Sequence, residues 1–149
     1  MPDPRIQPEI ISVRIPSRLD LLAVLDALTT SLCQRMEFDP DTTSQVVMSV
    51  IEAGTNAIQH GHQRDPRKWV DIEFQLFDDR IEVDVQDTGP GFDPAAINGD
   101  ITSPEHLLDA RGRGIYIMRV CMDEVDFQFT GSGTACHLVK RRPAVAAST

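Results

Sequence analysis

Two polar residues one helical turn apart are the first feature of this sequence that could support chemistry. Glu52 and Asn56 lie in a stretch with apolar or small residues at helical spacing: Val47, Val50, Ile51, Gly54, Ala57 and Ile58. Residues four apart project from one side of a helix, so a carboxylate and a carboxamide would point the same way. Most polar helix faces are simply solvated, and this pair alone favours that interpretation.

Two glycine-bearing segments further along the chain change the balance. Asp87-Thr-Gly-Pro-Gly91 follows a strand pattern, and Arg111-Gly-Arg-Gly114 precedes a helical one. Glycines let a backbone approach a ligand closely, while the carboxylate of Asp87 could accept an exocyclic amino group such as that of adenine. The N–H groups at a helix start favour phosphate. Each segment alone is consistent with an ordinary turn, but the three together predict a nucleotide site.

Composition restricts the class of protein further. The chain has 149 residues, 41% of them hydrophobic and 25% charged, as expected for a single soluble globular domain. Its formal net charge of -9 argues against nucleic acid or an anionic membrane surface as the main partner. Cys33, Cys121 and Cys136 have no disulfide or metal-ligand spacing, which predicts buried thiols in a reducing compartment. Neither a signal peptide nor a membrane span is indicated, so we expect a cytoplasmic protein.

The hydrophobic pattern predicts helices layered on a sheet. Alternating residues indicate strands at 9–15, 70–76, 81–87, 126–130 and 134–140. Helical periodicity indicates three helices: from an N-cap at Ser17 to about Met36, over 41–60 after a turn and N-terminal cap at Phe38-Asp-Pro-Asp, and over 114–125. The expected fold class is α+β, a two-layer α/β sandwich in which helices cover one face of a mixed, mostly antiparallel sheet.

The same pattern predicts the domain organisation. We expect an extended lead-in over residues 1–9, one domain over 10–142 and a flexible tail over 143–149. Residues 92–111 lack periodicity, and a connection of that length within a compact domain predicts a functional lid.

These motifs, in this order, resemble the Bergerat-type ATP-binding fold of gyrase, Hsp90, MutL and sensor histidine kinases. The resemblance is strongest to the stand-alone anti-sigma-factor serine kinases of bacterial stress and sporulation control. Glu-Ala-x-x-Asn-Ala-x-x-His matches their N box, Asp-x-Gly-x-Gly-Phe their G1 box and Gly-x-Gly-Ile-Tyr-Ile-Met their G2 box. Gly131-Ser-Gly-Thr134 resembles their final glycine box, and the similarity extends roughly from Ile10 to Lys140.

The resemblance implies a role for each matched residue. Glu52 would be the general base that takes the proton of a substrate serine, and Asn56 would ligate Mg²⁺ through its carbonyl oxygen. Asp87 would receive the adenine amino group of ATP. The other matched residues would also bind nucleotide: Gly89, Gly91 and Thr134 around the base, and Gly112, Arg113 and Gly114 at the phosphates.

The implied function is that of an ATP-dependent serine kinase in a partner-switching pathway. It would phosphorylate a STAS-domain anti-sigma-factor antagonist and sequester a sigma factor or another regulator. A homodimer is expected from the family, formed by the strand at 9–15 and the first helix. The alternative is a nucleotide-gated binding module without phosphoryl transfer, but a pure binder has no need of a base such as Glu52.

Two further interpretations are disfavoured. A two-component histidine kinase would carry a helix with a phospho-acceptor histidine before the domain, and this sequence has none there. The four histidines His60, His62, His106 and His137 have poor metal-ligand spacing, so we expect structural roles for them.

Overall fold

The computed structural model describes residues 7–61, 65–88, 110–130 and 133–143. Within these ranges, five strands form one sheet in the order β1-β2-β3-β5-β4: Glu9–Pro16 (β1), Trp69–Leu76 (β2), Arg80–Asp87 (β3), Glu124–Thr130 (β4) and Gly133–Arg141 (β5). All four described strand pairings are antiparallel. The helices are Leu22–Arg35 (α1), Pro40–Asn56 (α2) and Ala110–Cys121 (α3). The predicted two-layer α+β architecture is confirmed.

Side-chain alternation decides which face of the sheet the helices cover. On β2 and β3, Ile72, Phe74 and Val83 are fully buried, whereas Asp71 and Glu73 between them are half-exposed. The helices contribute the other half of the core, because α1 and α3 both pack against α2 and bury one stripe each. The predicted stripe on the third helix is confirmed by four buried side chains: Ile115, Met118, Cys121 and Met122.

The N-terminus of α2 is fixed by its own sequence. Asp39 is the N-cap, and its Oδ1 accepts a hydrogen bond from the Thr42 main-chain N–H at 2.7 Å. Pro40 follows at the first helical position, where its missing N–H costs nothing. This cap was predicted, and it fixes where the helix that carries Glu52 and Asn56 begins.

The end of α2 differs from the prediction. The α-helix stops at Asn56, and residues Ala57–Gly61 form one turn of π-helix. Such turns are rare and often lie beside functional sites. The α-helical geometry therefore ends at the residue that the sequence singled out.

Two other helix boundaries were predicted wrongly. Ser17 does not cap the first helix: a 3₁₀ turn at Leu19–Leu21 precedes α1, and α1 begins at Leu22 without a side-chain cap. Leu21 and Leu22 both pack against the core, so apolar contact rather than capping sets this start. The third helix ends at Cys121 instead of residue 125, because Val125 pairs with Leu138 and packs on the core as part of β4.

Some predictions fall on residues outside those that the structure describes. These are most of the lead-in (residues 1–6), the tail from 144 onward, and residues 92–109 of the predicted lid. Residues 110 and 111, which were assigned to the lid, lie in α3. None of the helices in the described ranges is long and apolar enough to span a membrane.

Candidate active site

Glu52 and Asn56 occupy the last two turns of α2, and both are half-buried. Ala53 and Gly54, on the same two turns, are buried in the core, so packing fixes the rotation of the helix. The carboxylate and the carboxamide therefore project on one side, as the spacing predicted.

The main chain of α3 lies directly against this pair. A Cβ atom built on Gly114 would be 2.8 Å from Oε2 of Glu52 and 3.8 Å from Nδ2 of Asn56. With glycine at this position, the Glu52 carboxylate can lie directly against the main chain of α3. The structure thus brings the first and third sequence motifs into contact, although 62 positions separate Glu52 from Gly114.

The electrostatic surroundings of Glu52 suit a proton acceptor. Burial raises the pKa of Glu52 above its usual value, and the positive charge of Arg113 acts in the opposite direction. A carboxyl group with a raised pKa is a stronger base, while the nearby cation favours its ionised form. Arg113 itself is exposed, so its guanidinium can also reach an anionic ligand.

Asn56 carries an unpaired polar atom. Its Nδ2 is buried and has no hydrogen-bond partner within the described part of the chain. A buried polar group left unsatisfied costs about 1–3 kcal/mol, which a ligand contact would recover. The unpaired group is an N–H donor, which an acceptor such as a phosphate oxygen would satisfy, whereas the amide oxygen is the hard donor that would fit Mg²⁺.

A second cluster forms where β3 and β5 meet. Asp87 is the last residue of β3, and Thr134 is its direct cross-strand partner. Both lie on the helix-covered face, because residues two apart on a strand point to the same side. Asp87 is two residues from the buried Val85, and Thr134 is two residues from the buried Cys136. The Thr134 Oγ1 atom is buried and, among the described residues, has no hydrogen-bond partner. A carboxylate and a hydroxyl thus lie on neighbouring strands, opposite each other.

Gly133 is a site residue that sequence reasoning left out. A Cβ atom built on it would lie 1.9 Å from the main-chain oxygen of Asp87 and 2.8 Å from the Thr88 Cα. Gly133 therefore allows β5 to start directly against the end of β3. Its place in the Gly131-Ser-Gly-Thr134 segment was the available signal. A cavity of about 110 Å³ borders Asp87 and Thr134, but Asp71 and Gln86 of the uncovered face also line it, and it is too small to hold a nucleotide.

The remaining predicted residues are located only in part. Gly89 and Gly91 lie outside the described residues, as do His62 and His106. The third helix starts at Ala110, so Gly112 and Arg113 belong to its first turn and Gly114 is its fifth residue. Since only the first four N–H groups of a helix lack an internal partner, Gly112 and Arg113 are the better placed for phosphate.

His137 and the cysteines take no part in this site. His137 lies on the uncovered face of the sheet, where its two ring nitrogens contact Asp84 and Glu82. In the parts of the chain that the structure describes, no three His, Cys, Asp or Glu side chains are arranged so that they could hold a metal ion. All three cysteines are free and buried, as predicted.

Comparison with known proteins shows which family the chain belongs to. Residues 15–140 match the family model described as the histidine kinase-like ATPase domain, and the chain belongs to this family.

Its curated relatives point to one group within that family. The serine-protein kinase RsbW of Bacillus subtilis (strain 168) is 32% identical over 125 residues, which cover 80% of this chain and 78% of the relative. The RsbW kinase of Bacillus velezensis is 31% identical over 137 residues, covering 89% and 85% respectively. The predicted resemblance to the anti-sigma-factor serine kinases is confirmed.

A solved structure supports the fold independently. The crystal structure of the RsbU and RsbW domains of a Mycobacterium tuberculosis protein matches with a TM-score of 0.67 and covers 94% of this chain. The sequence identity is 15%, and the match spans 35% of that longer chain. This similarity concerns the fold alone.

Proposed function

We propose that this chain is an ATP-dependent serine/threonine-protein kinase that acts as an anti-sigma factor and phosphorylates a STAS-domain antagonist. The observation that carries the proposal is the contact between the two helices of the site. A half-buried carboxylate at Glu52 lies one turn from the unsatisfied amide of Asn56 and against Gly114 of α3. The names of the relatives, serine-protein kinases, support the same reaction.

Nucleotide would bind across both clusters of the site. The Asp87 carboxylate would accept the adenine amino group beside the Thr134 hydroxyl. The first turn of α3, with Gly112 and Arg113, would receive the phosphates, because free N–H groups and a cation both stabilise negative charge there. Asn56 would hold Mg²⁺, which when bound neutralises charge on the phosphates during transfer.

The chemical step assigned to this chain is a proton transfer at Glu52. Its Oε2 would take the proton of the substrate hydroxyl while that oxygen forms a bond to the γ-phosphorus. The bond from phosphorus to the bridging oxygen breaks, and ADP leaves with the electron pair. The raised pKa of Glu52, due to burial and moderated by Arg113, brings the base closer to neutral pH.

The partners follow from the same proposal. The chain would exchange between the STAS-domain antagonist and a sigma factor or similar regulator, in the cytoplasm. A homodimer would form through β1 and α1. In support, β1 is an edge strand, and each element exposes an apolar side chain, Ile10 at 58% and Val24 at 56%. Light scattering on the purified chain tests the dimer, and a monomer at micromolar concentration would contradict it.

One experiment separates catalysis from binding. The chain is used to capture proteins from its native cells, and the captured acceptor is incubated with radiolabelled ATP, Mg²⁺ and either wild type or Glu52→Gln. Loss of a positioned base should lower transfer by about a hundredfold or more, with ATP affinity little changed. Glu73→Gln, on the uncovered face of β2, is the matched control and should transfer normally.

The outcomes distinguish the parts of the proposal. Transfer at the wild-type rate by Glu52→Gln would mean that Glu52 is not the base and would favour a nucleotide-gated binding module. Capture of proteins that include no STAS domain would contradict the proposed substrate class while leaving the kinase reaction testable on the protein that was captured.

A further inference from the structure

Gly114 has no conformational reason to be glycine. It is the fifth residue of α3, and a helix interior accepts alanine more readily than glycine. A side chain here would meet Glu52, because a Cβ atom would be 2.8 Å from Oε2 and 3.7 Å from Cδ. The space that a methyl group would need is occupied by the carboxylate of the proposed base.

We infer that Gly114 is a positioning residue: by lacking a side chain, it sets the place of the Glu52 carboxylate in the site. The inference rests on the proposed function, in which Glu52 is the base. It differs from the predicted role of Gly114 at the phosphates, because it acts through another side chain rather than through the nucleotide.

The nature of the close contact determines what a methyl group would disturb. Oε2 is the far end of a flexible side chain, so the carboxylate can rotate away and the helices can keep their packing. We therefore expect the added methyl group to lower the rate of phosphoryl transfer and to leave the stability of the fold largely unchanged. A reacting group displaced by about 1 Å loses roughly a hundredfold in rate.

The residue before Gly114 supports the same coupling. The positive charge of Arg113 lowers the pKa of Glu52. Two consecutive residues of α3 therefore act on the base: Gly114 through the space it leaves and Arg113 through its charge. The start of α3 thereby affects the place of the carboxylate, and its cation partly offsets the rise in pKa that burial causes.

Gly114→Ala tests the inference together with a matched control. We expect the kcat of phosphoryl transfer to the captured acceptor to fall roughly a hundredfold while the KM for ATP stays within about threefold. Val120→Ala is the control, because Val120 lies on the exposed side of the same helix, with 63% of its surface accessible. It should leave kcat unchanged. A rise in KM without a fall in kcat would assign Gly114 to phosphate binding and overturn the inference.

A double-mutant cycle separates this inference from the proposed function. If Gly114 acts through Glu52, adding Gly114→Ala to Glu52→Gln should cause almost no further loss of rate. If the two losses multiply, Gly114 acts independently and the inference fails. If Glu52→Gln alone transfers at the wild-type rate, Glu52 is not the base. That result comes from the single variant, so it can be told apart from a failure of the inference about Gly114.

Two readouts need no acceptor protein. The ¹³C chemical shift of the Glu52 carboxyl carbon, assigned with Glu52→Gln, should change in Gly114→Ala and not in Val120→Ala. In addition, Glu52→Asp withdraws the carboxylate by one methylene, so Gly114→Ala in that background should raise Tm by about 3 °C. An unchanged carboxyl signal, or the same change of Tm in both backgrounds, would overturn the inference even if Gly114→Ala alone folded poorly.

Discussion

Gly133 lies directly against the main-chain carbonyl of Asp87, so close that a Cβ atom would be 1.9 Å from the oxygen. Gly133→Ala should force the start of β5 away from β3 and move Thr134 with it. We expect ATP affinity to fall by about tenfold or more, since an unpaired polar contact costs about 1–3 kcal/mol. Calorimetry with a non-hydrolysable ATP analogue measures this, with substitution of the exposed Val120 by alanine as the control. Normal affinity in Gly133→Ala would remove the β3–β5 junction from the base site.

Asp87→Asn preserves size but replaces one acceptor oxygen with a donor. The NH₂ group of the asparagine would then face the amino group of adenine, and neither donor would have an acceptor. ATP affinity should therefore fall roughly tenfold or beyond. Asp84→Asn is the matched control, because Asp84 lies on the same strand but on the opposite, uncovered face. The two variants are compared by calorimetry with the same analogue. Equal affinities would show that Asp87 does not contact the base.

His137 should make stability depend on pH. Its Nδ1 lies 2.7 Å from Asp84 and its Nε2 2.9 Å from Glu82. Both nitrogens can donate only when the ring is protonated. Burial lowers the pKa of His137, but the hydrogen bond and charge of Asp84, with the charge and hydrogen bond of Glu82, raise it overall. The other charged neighbours are Asp126, the cross-strand partner on β4, and Arg80, which pairs with Glu82.

The direction of the pH effect follows from that shift. A folded pKa above the unfolded value of about 6.5 means that the stabilisation is complete below pH 6.5 and is lost as the pH rises through the folded pKa. The size should be about 1 kcal/mol or less, as for a partly exposed ion pair. The test is the difference in Tm between wild type and His137→Gln, measured from pH 5.5 to 9. If this difference does not change with pH, the prediction is contradicted.

The N-cap of α2 should stabilise the helix that carries the site. Asp39→Ala removes the acceptor of the Thr42 N–H, and Tm should fall by about 2–4 °C. Asp39→Asn retains a capping oxygen and should lose less. The hydrogen bond from Thr42 lowers the pKa of Asp39, so its contribution is lost as the pH falls through the folded pKa. Equal Tm values for wild type and alanine variant would mean that packing alone fixes this end.

The thiols should be chemically silent in the folded protein. Burial raises the pKa of Cys33 and of Cys136 to about 12, so almost no thiolate is present at neutral pH. Ellman's reagent should therefore react only after unfolding in guanidinium chloride. Rapid reaction of native protein would reveal opening of the core.

The sequence was most informative where one physical signal dominated. Alternation in Ile72 and Phe74 located a strand, and the Asp39-Pro40 pair located a helix start, because period and capping are local properties. The pairing of Glu52 with Asn56 followed from helical spacing alone.

The misses occurred where distant contacts decided the structure. Leu21 and Leu22 shift the start of α1, and Val125 leaves a helical pattern to join β4, because each gains burial against residues far along the chain. The contacts of Gly114 with Glu52 and of Gly133 with Asp87 are also long-range. Motif order predicted that these segments form one site, but no local pattern specifies a distance between them.

The strand order has a consequence for biosynthesis. β5 follows β4 in the sequence but is inserted between β3 and β4. While the chain is being made, β3 therefore keeps an open hydrogen-bonding edge until residues 133–141 have been synthesised. An unpaired strand edge on an incomplete chain is prone to aggregate and is a natural target for chaperones. Truncated translation products that end before Gly133 should consequently accumulate in inclusion bodies. In a chain that includes β5, this strand pairs with both β3 and β4, and the open edge of β3 is covered.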